Sequence, residues 1–358
     1  MTKRTRIFMT GSGAVLAAGL CTGLVAYYGG GFQALVASTG PTELAYVPAD
    51  ASIVAYADVR SIMDSELRQR FKQAMPMNPM NEEGQREFFE HTGINLEQDV
   101  DYVVAAATAN GFGKNGVLVA RGRFDIVKLE GLAREHGAEV QDYRGKRLLV
   151  LKHEGWHQDV EKDAKEADKS DSGGSAGLAA VSASPVPNTG ALAFLEPGLV
   201  AVGDLAGVQR AIDAQMSAQS ITSNNEMMDL VKDIERTNNA WAVGRFDLIA
   251  SQAKLPENIA RQIPPVKWFA AAGHINGGVS AQLRAEANDD KAAENLRGVI
   301  NGVISLARLQ GQNDPKLAPL ISSLQMSGSG KTVELSFTIP SEIFELMAPR
   351  MKAEHNVH

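Results

Sequence analysis

The sequence from His153 to His157, His-Glu-Gly-Trp-His, has the spacing of a zinc-peptidase motif. On a helix, residues four apart share one face, so His153 and His157 could hold Zn²⁺ while Glu154 acts as the general base. The context opposes this function, because the preceding Arg147–Leu151 has the pattern of a strand and Gly155 weakens a helix at its centre. A zinc-dependent metallopeptidase is therefore kept as an alternative hypothesis.

Three methionines, Met75, Met77 and Met80, lie close together in a proline-containing stretch. Thioether sulfurs are soft ligands that can hold Cu(I). Flexible methionine side chains also fill gaps in a hydrophobic core. We expect the packing role, with copper binding as its alternative.

A third motif imitates a phosphate-binding loop, because the residues from Ser327 to Thr332 are Ser-Gly-Ser-Gly-Lys-Thr. Such a loop needs a helix after it, whose N-terminal amides face the phosphate. Here Val333 to Ile339 alternates between apolar and polar residues, which predicts a strand. The segment is therefore predicted to be a hairpin turn, and we expect neither a nucleotide nor any other cofactor.

Two carboxylates, Asp58 and Asp247, occupy matching places at the ends of apolar stretches. A pair of carboxylates can carry out acid–base catalysis, but an aspartate just before a helix also caps its N-terminus. We expect both to be caps. Because the sequence shows no serine, histidine and aspartate combination typical of a hydrolase, we predict no catalytic residue.

The elements that would position these residues follow a repeated order. Asp101 to Gly137 predicts a strand, a Gly/Asn turn, a second strand and an amphipathic helix. Lys267 to Gly302 repeats this order, and its helix continues to Leu309. The sequence therefore predicts an internally duplicated α+β protein of two related halves, each an antiparallel sheet with helices packed on one face.

Apolar periodicity and turn residues predict further elements outside the two copies. They are a strand at Ala51–Val59, a helix at Arg60–Ala74 with a Glu66–Arg70 pair, a hairpin of Ala191–Leu195 and Leu199–Val202, and helices at Leu205–Gln215, Asn225–Arg236 and Ser341–Met351. Between two of the predicted strands, residues 153–188 are rich in charged and small residues, which predicts a solvated, disordered insertion.

The N-terminal residues 1–38 have the pattern of a signal anchor. Three basic residues precede an uncharged run whose core, Gly11–Tyr28, has eighteen residues. This length is near the minimum for spanning a bilayer, and the basic flank predicts a cytoplasmic N-terminus. We expect a single-pass inner-membrane protein with its bulk in the periplasm or outside the cell. The alternative is a signal peptide cleaved near Ser38, which would release a secreted protein.

The domain boundaries follow from these elements. We predict a short linker at 39–50, a first α+β repeat at 51–220, a second at 221–351 and a tail at 352–358. The net charge of −7 over 358 residues argues against a nucleic-acid partner. One cysteine, Cys21, excludes an internal disulfide.

Several stretches resemble an uncharacterised bacterial envelope domain family. They are Val47-Pro48-Ala49-Asp50-Ala51, the strand ending in Asp58-Val59-Arg60, the turn Tyr143-Arg144-Gly145-Lys146, and the hairpin from Ala191 to Gly203. The resemblance implies a secreted or membrane-anchored duplicated domain with no assigned activity and no catalytic residues. It also implies that the segment between Leu151 and Ala191 is a loop of variable length.

Together these patterns predict a non-enzymatic, membrane-anchored protein that holds an envelope protein or an apolar ligand. Small residues at Ala105–Ala107 and Ala270–Ala272 would let a helix or an apolar ligand approach the sheet closely. We expect close helix packing there, and a carrier of lipids or other hydrophobic ligands is the further alternative.

Overall fold

The structure is a computed structural model that describes residues 41–74, 85–86, 88–90, 92–108, 115–152, 189–235, 237–246, 264–311 and 318–341. The fold is α+β, as the sequence predicts, and the strands pair in antiparallel fashion. The strands are β1 (Ile53–Asp58), β2 (Val100–Ala107), β3 (Val117–Gly122), β4 (Glu139–Tyr143), β5 (Lys146–Lys152), β6 (Thr189–Glu196), β7 (Leu199–Asp204), β8 (Ala240–Arg245), β9 (Val266–Ile275), β10 (Gly278–Ala287), β11 (Gln325–Ser327) and β12 (Thr332–Pro340). The α-helices are α1 (Val59–Met63), α2 (Glu66–Ala74), α3 (Leu96–Asp99), α4 (Ile126–Glu135), α5 (Leu205–Ser217), α6 (Asn225–Glu235), α7 (Asp290–Gly311) and α8 (Ala318–Ser323).

The chain divides into two compact units, whose described parts are residues 41–54 with 85–228 and residues 55–74 with 229–341. Residues 55–74 group with the second unit. Two backbone hydrogen bonds join them to it: Asp58 donates to the carbonyl of Asn239 and Leu67 to that of Asn276, both at 2.7 Å.

The sheet of the first unit has the strand order β2-β3-β7-β6-β5-β4. The predicted hairpin is present as β6 and β7, and the predicted helix after it is α5, which packs against both strands. Every residue from Val103 to Ala107 is buried. Since successive side chains of a strand point to opposite faces, both faces of β2 are covered over this stretch.

The segment predicted as a linker packs into the first unit instead. Residues Thr42–Tyr46 form a 3-10 helix, and Leu44, Tyr46 and Val47 are buried. The carbonyl of Val47 accepts a backbone hydrogen bond of 2.7 Å from Ile221, which begins a second 3-10 helix at Ile221–Ser223. The apolar residues of this stretch are too few to show a period, so the sequence pattern did not indicate their burial.

The sheet of the second unit has the strand order β11-β12-β10-β9-β8-β1. Its β9 and β10 form a hairpin followed by α7, which is the order predicted for the second copy. The turn between β11 and β12 contains Gly328 and Gly330, both with positive φ angles. The segment that imitates a phosphate loop is therefore a hairpin turn followed by a strand, as predicted, and the helix that a phosphate loop requires is not there.

The predicted helix at Arg60–Ala74 is broken into α1 and α2. Ser65 lies at the break, where its hydroxyl donates to the carbonyl of Ile62 at 2.7 Å and accepts from the backbone N–H of Arg68 at 3.2 Å. Serine side chains compete with the helical backbone in this way. The predicted pair of Glu66 and Arg70 is present in α2, with 3.7 Å between charged atoms.

Candidate interaction surface

The long helix α7 has a well-defined N-terminus. Asp289 precedes it, and its carboxylate accepts a hydrogen bond of 2.8 Å from the backbone N–H of Ala292. Asp290 lies in the first turn and Arg308 in the last turn, which places each charge at the end of the helix dipole that favours it. These local features favour the two ends of a helix that is 22 residues long.

One face of α7 is packed against the sheet of the second unit. Ala292 and Ala293 are buried in a small apolar cluster together with Val333 of β12. Leu296 and Ile300 pack against this cluster, and Ile304 is buried as well. The spacing of these residues follows the period of an α-helix, so they form the inner face of α7.

Arg297 fastens α7 to the turn between β11 and β12. Its guanidinium donates to the backbone carbonyls of Gly330 at 2.7 Å and Thr332 at 2.8 Å. Carbonyl oxygens at the end of a strand are well suited to a cation with several donors. The two bonds hold the rotation of the helix about its axis, and with it the direction of the opposite face.

The opposite face of α7 is apolar and exposed to solvent. Val299 is 41% exposed, Val303 63%, Leu306 57% and Leu309 61%. Their spacing places them along one side of the helix. We call the surface formed by these four residues, with Gly298 and Gly302 beside them, the α7 outer face.

Within the residues that the structure describes, nothing packs against the two glycines of the α7 outer face. A Cβ atom added at Gly298 or Gly302 would meet no atom within 4 Å. Glycine within a helix costs about 1 kcal/mol relative to alanine, and it commonly serves the close approach of another backbone. By contrast, a Cβ at Gly122 would lie 2.0 Å from the carbonyl oxygen of Asp99, so that glycine is required by the fold.

The exposed aliphatic side chains of α7 contribute less to the stability of the fold than they would if they were buried. Full burial of a valine or leucine side chain contributes about 1.5–3 kcal/mol of stabilisation. At the observed exposures, each of the four side chains lacks on the order of 1 kcal/mol of that stabilisation. Single exposed apolar residues are common on soluble proteins, but contiguous apolar patches mark sites of interaction. The α7 outer face is therefore the strongest candidate for a functional surface within the residues that the structure describes.

A polar cluster in the first unit serves a structural purpose. The side chain of Arg121 is paired with the buried Glu43 and lies 3.9 Å from Glu196, to which Tyr46 donates a hydrogen bond of 2.7 Å. Its hydrogen bond to Glu43 raises the pKa of Arg121. Burial, followed by the bond to Glu196, raises the pKa of Tyr46. All four groups are satisfied by one another, so the cluster ties the 3-10 helix at Thr42–Tyr46 to the sheet.

A depression of about 570 Å³ lies on the first unit. Its lining consists of Gly93, Asp99, Gly122, Arg123, Phe124, Asp125 and Gly198. Arg123 is paired with Asp99 at 3.2 Å, and the carboxylate of Asp125 caps α4 by accepting from the backbone of Lys128 at 3.0 Å. A site for a lipid would be lined mainly by apolar side chains, so this depression does not suit one.

The sequence-predicted metal sites lie outside the described residues. This applies to His153, Glu154 and His157 and equally to Met75, Met77 and Met80. Within the parts of the chain that the structure covers, no group of three or more His, Cys, Asp or Glu side chains is placed to hold a metal ion.

The predicted membrane segment at residues 1–38 also lies outside the described residues. Among the helices described between residues 41 and 341, none is both long enough and apolar enough to cross a bilayer. The predicted insertion at 153–188 and the tail at 352–358 are likewise outside the described ranges.

The other candidate residues have structural places. Asp58 caps α1, because its carboxylate accepts from the backbone N–H of Ser61 at 2.8 Å, whereas Asp247 lies outside the described residues. His274 lies half-buried on β9, and burial lowers its pKa. Trp241 and Trp268 are buried, so neither offers a ring face for stacking on a sugar.

The sequence pattern did not single out the α7 outer face. Apolar residues of α7 occur on two sides: Ile300 and Ile304 are inner, whereas Val299 and Val303 are outer. The pair Gly298 and Gly302 within a long predicted helix could have indicated this surface. Glycine inside a helix lowers its stability, so two glycines on one side suggest that a contact requires them.

No family model matches this chain, and no curated protein matches it. Among solved structures, crystal form I of TP0453 is similar over 88% of this chain and 99% of that chain. The TM-score is 0.44 and the sequence identity 10%. A similarity at this level supports no conclusion about function.

Proposed function

We propose that this chain is a non-enzymatic, membrane-anchored protein that faces the periplasm and holds a partner on the α7 outer face. The supporting observation is the exposure of four aliphatic side chains along a helix that Arg297 fastens to the sheet. An apolar surface on a fixed helix is suited to binding because little flexibility is lost on association.

The chemistry of the α7 outer face favours an apolar helix of another envelope protein as the partner. The face carries no charged side chain among its members Gly298, Val299, Gly302, Val303, Leu306 and Leu309. Glycines four residues apart allow a second helix backbone to approach closely. A partner helix packed against the two glycines would cover Val299 and Val303.

The anchoring part of the proposal rests on the N-terminal sequence. The basic residues before the apolar core Gly11–Tyr28 favour a single-pass inner-membrane segment with the remaining chain in the periplasm or outside. Tethering raises the effective concentration of a surface toward other membrane proteins. Membership of the envelope domain family and an origin by internal duplication belong to the same proposal.

Two alternative functions would require features other than an exposed helix face. A zinc-dependent metallopeptidase through His153, Glu154 and His157 requires bound zinc. A carrier of lipids or other hydrophobic ligands requires an apolar cavity, and the depression lined by Arg123 and Asp125 does not supply one. The α7 outer face is flat helix surface and not a cavity, so it favours a protein partner over a small ligand.

A photo-activatable cross-linking residue placed at position 303 tests the proposal in native membranes. Val127, which is 83% exposed on α4, is the matched control position. We expect a discrete adduct with one other membrane protein from position 303 and none from position 127. Equal adduct patterns at the two positions would show that the α7 outer face has no particular partner.

A further inference from the structure

Among the described strands of the first unit, β4 ends the sheet and has one neighbour, β5. Its residues Glu139–Asp142 are exposed to solvent. We propose that the outer edge of β4 pairs with the same edge of a second copy of the chain, so that the sheets of the two copies become continuous. The proposal concerns the first unit alone and does not depend on the α7 outer face.

The turn between β4 and β5 determines which backbone groups of β4 face outward. The two-residue turn Arg144-Gly145 has positive φ angles at both positions, and Tyr143 pairs with Lys146 across it. The pair that closes such a turn is hydrogen-bonded, and along the ladder hydrogen-bonded pairs alternate with non-hydrogen-bonded ones. The backbone N–H and C=O groups of Val140 and Asp142 therefore point away from β5.

The edge of β4 is open to another strand. Sheet edges are commonly protected by short strands, bulges, prolines or lysines. In the second unit the end strand β11 has three residues, whereas β4 has five, without proline, lysine or a shift in its register with β5. The carboxylates of β4 have contacts within the hairpin, because Asp142 accepts a hydrogen bond of 3.1 Å from the backbone of Gly145 and Glu139 accepts one of 3.5 Å from Gln141.

A second copy of β4 is complementary to the first in an antiparallel register. With a twofold axis at Gln141, Val140 of each copy lies opposite Asp142 of the other, and Glu139 lies opposite Tyr143. Both outward-facing residues are then used, and each pair of Val140 with Asp142 exchanges its backbone hydrogen bonds. Because no two charges of the same sign lie directly opposite each other, this register avoids cross-strand repulsion.

Neighbouring registers are less suitable. An axis at Asp142 would place its carboxylate opposite that of the second copy, which is destabilising. An axis at Val140 would place Asp142 opposite Ala138, whose backbone N–H already donates to the carbonyl of Ala133 at 2.8 Å. The backbone and the charges of β4 therefore favour the axis at Gln141.

Disulfide formation in the full-length protein tests the proposal. Gln141→Cys and the matched control Glu139→Cys are made in a Cys21→Ser background, which leaves one thiol in the chain, and membranes are treated with a mild oxidant. At the axis, the Cα atoms of the two residues 141 would lie about 4.5 Å apart, within the range of a disulfide. The two residues 139 would be about 14 Å apart along the strands. We expect at least about fivefold more disulfide-linked dimer from Gln141→Cys, because its thiols alone are within reach.

A second variant, Val140→Pro combined with Gln141→Cys, tests the backbone pairing. Proline at position 140 removes an N–H that points away from β5, so we expect the unfolding midpoint to change little while the linked dimer falls roughly fivefold. Equal linkage from Gln141→Cys and Glu139→Cys would overturn the proposal, as would a dimer yield that Val140→Pro leaves unchanged. Linkage of Gln141→Cys to a different protein would overturn it as well, since the occupant of the edge would then not be a second copy.

Discussion

Arg297 and Thr332 are joined by a hydrogen bond of 2.8 Å, in which the guanidinium of α7 donates to a backbone carbonyl of β12. The same guanidinium reaches the carbonyl of Gly330 at 2.7 Å. These contacts act together with the packing of Ala292 and Ala293 against Val333 of β12. With this side of α7 held on the sheet, Val299 and Val303 remain exposed.

The first prediction concerns this arginine. We expect Arg297→Ala to lower the free energy of unfolding by about 2–3 kcal/mol, because two charge-assisted hydrogen bonds are lost and two carbonyls lose a partner. Denaturant unfolding monitored by tryptophan fluorescence measures the change. The matched control is Arg308→Ala on the exposed side of the same helix, for which we expect a change within about 0.5 kcal/mol. Equal effects of the two variants would contradict the fastening role of Arg297.

A second prediction separates stability from binding at one position. Since a Cβ at Gly302 meets no atom of the described residues within 4 Å, we expect Gly302→Ala to raise the free energy of unfolding by roughly 0.5–1 kcal/mol. The added methyl group would also keep a second helix away, so the yield of the cross-linked complex at position 303 should fall. Thermal unfolding and quantification of the adduct measure the two effects.

The control for this prediction is a glycine that the fold requires. Gly122→Ala would bring a Cβ to 2.0 Å from the carbonyl of Asp99, so we expect it to destabilise the protein. If Gly302→Ala also destabilises the protein, then the α7 outer face is packed within the chain in a way that excludes a Cβ. Unchanged cross-linking in Gly302→Ala would contradict the close approach of a partner helix.

A third prediction concerns alkaline pH. Burial and the hydrogen bond to Glu196 raise the pKa of Tyr46 above its ordinary value of 10.0. In this pH range the unfolded chain loses the phenol proton first, whereas the folded protein keeps it. The stabilisation is therefore complete below pH 10 and is lost progressively as the pH rises above that value. We expect the free energy of unfolding to fall more steeply above pH 10 in the parent than in Tyr46→Phe, and parallel curves would contradict the role of Tyr46.

A fourth prediction concerns metal content. We expect the full-length protein, purified from membranes without chelators, to contain neither zinc nor copper in stoichiometric amount by elemental analysis. We also expect His153→Ala and Glu154→Gln to leave the cross-linking at position 303 unchanged. One equivalent of zinc that disappears in His153→Ala would support the metallopeptidase instead. Copper that disappears when Met77 is changed would indicate a role in metal handling.

The sequence predicted well those elements that depend on neighbouring residues in the chain, through apolar periodicity, turn residues and helix caps. The helix α5 and the β6–β7 hairpin follow from periodicity and from the Pro-Gly turn. The capping role of Asp58 follows from its place between a strand and a helix. In contrast, β4 was not predicted, because its side chains from Glu139 to Asp142 are exposed and show no apolar alternation.

The features that the sequence did not reveal depend on tertiary contacts. The break between α1 and α2 is fixed in part by the hydrogen bond from Leu67 to Asn276, which is distant in sequence. The burial of Leu44 and Val47 depends on the packing of the first unit. The α7 outer face could not be predicted, because Val303 and Ile304 are equally apolar and only the packing on β12 decides which of them is buried.

Chemical accessibility of position 303 in membranes tests the central claim most directly. Val303→Cys and the control Val127→Cys are made in a Cys21→Ser background, which leaves one thiol in the chain. The rate of maleimide labelling is compared between native membranes and purified protein. We expect labelling at position 303 to be at least several-fold slower in membranes than after purification, because a partner covers the α7 outer face, whereas the rate at position 127 stays the same. Equal rates at position 303 in both preparations would contradict the account.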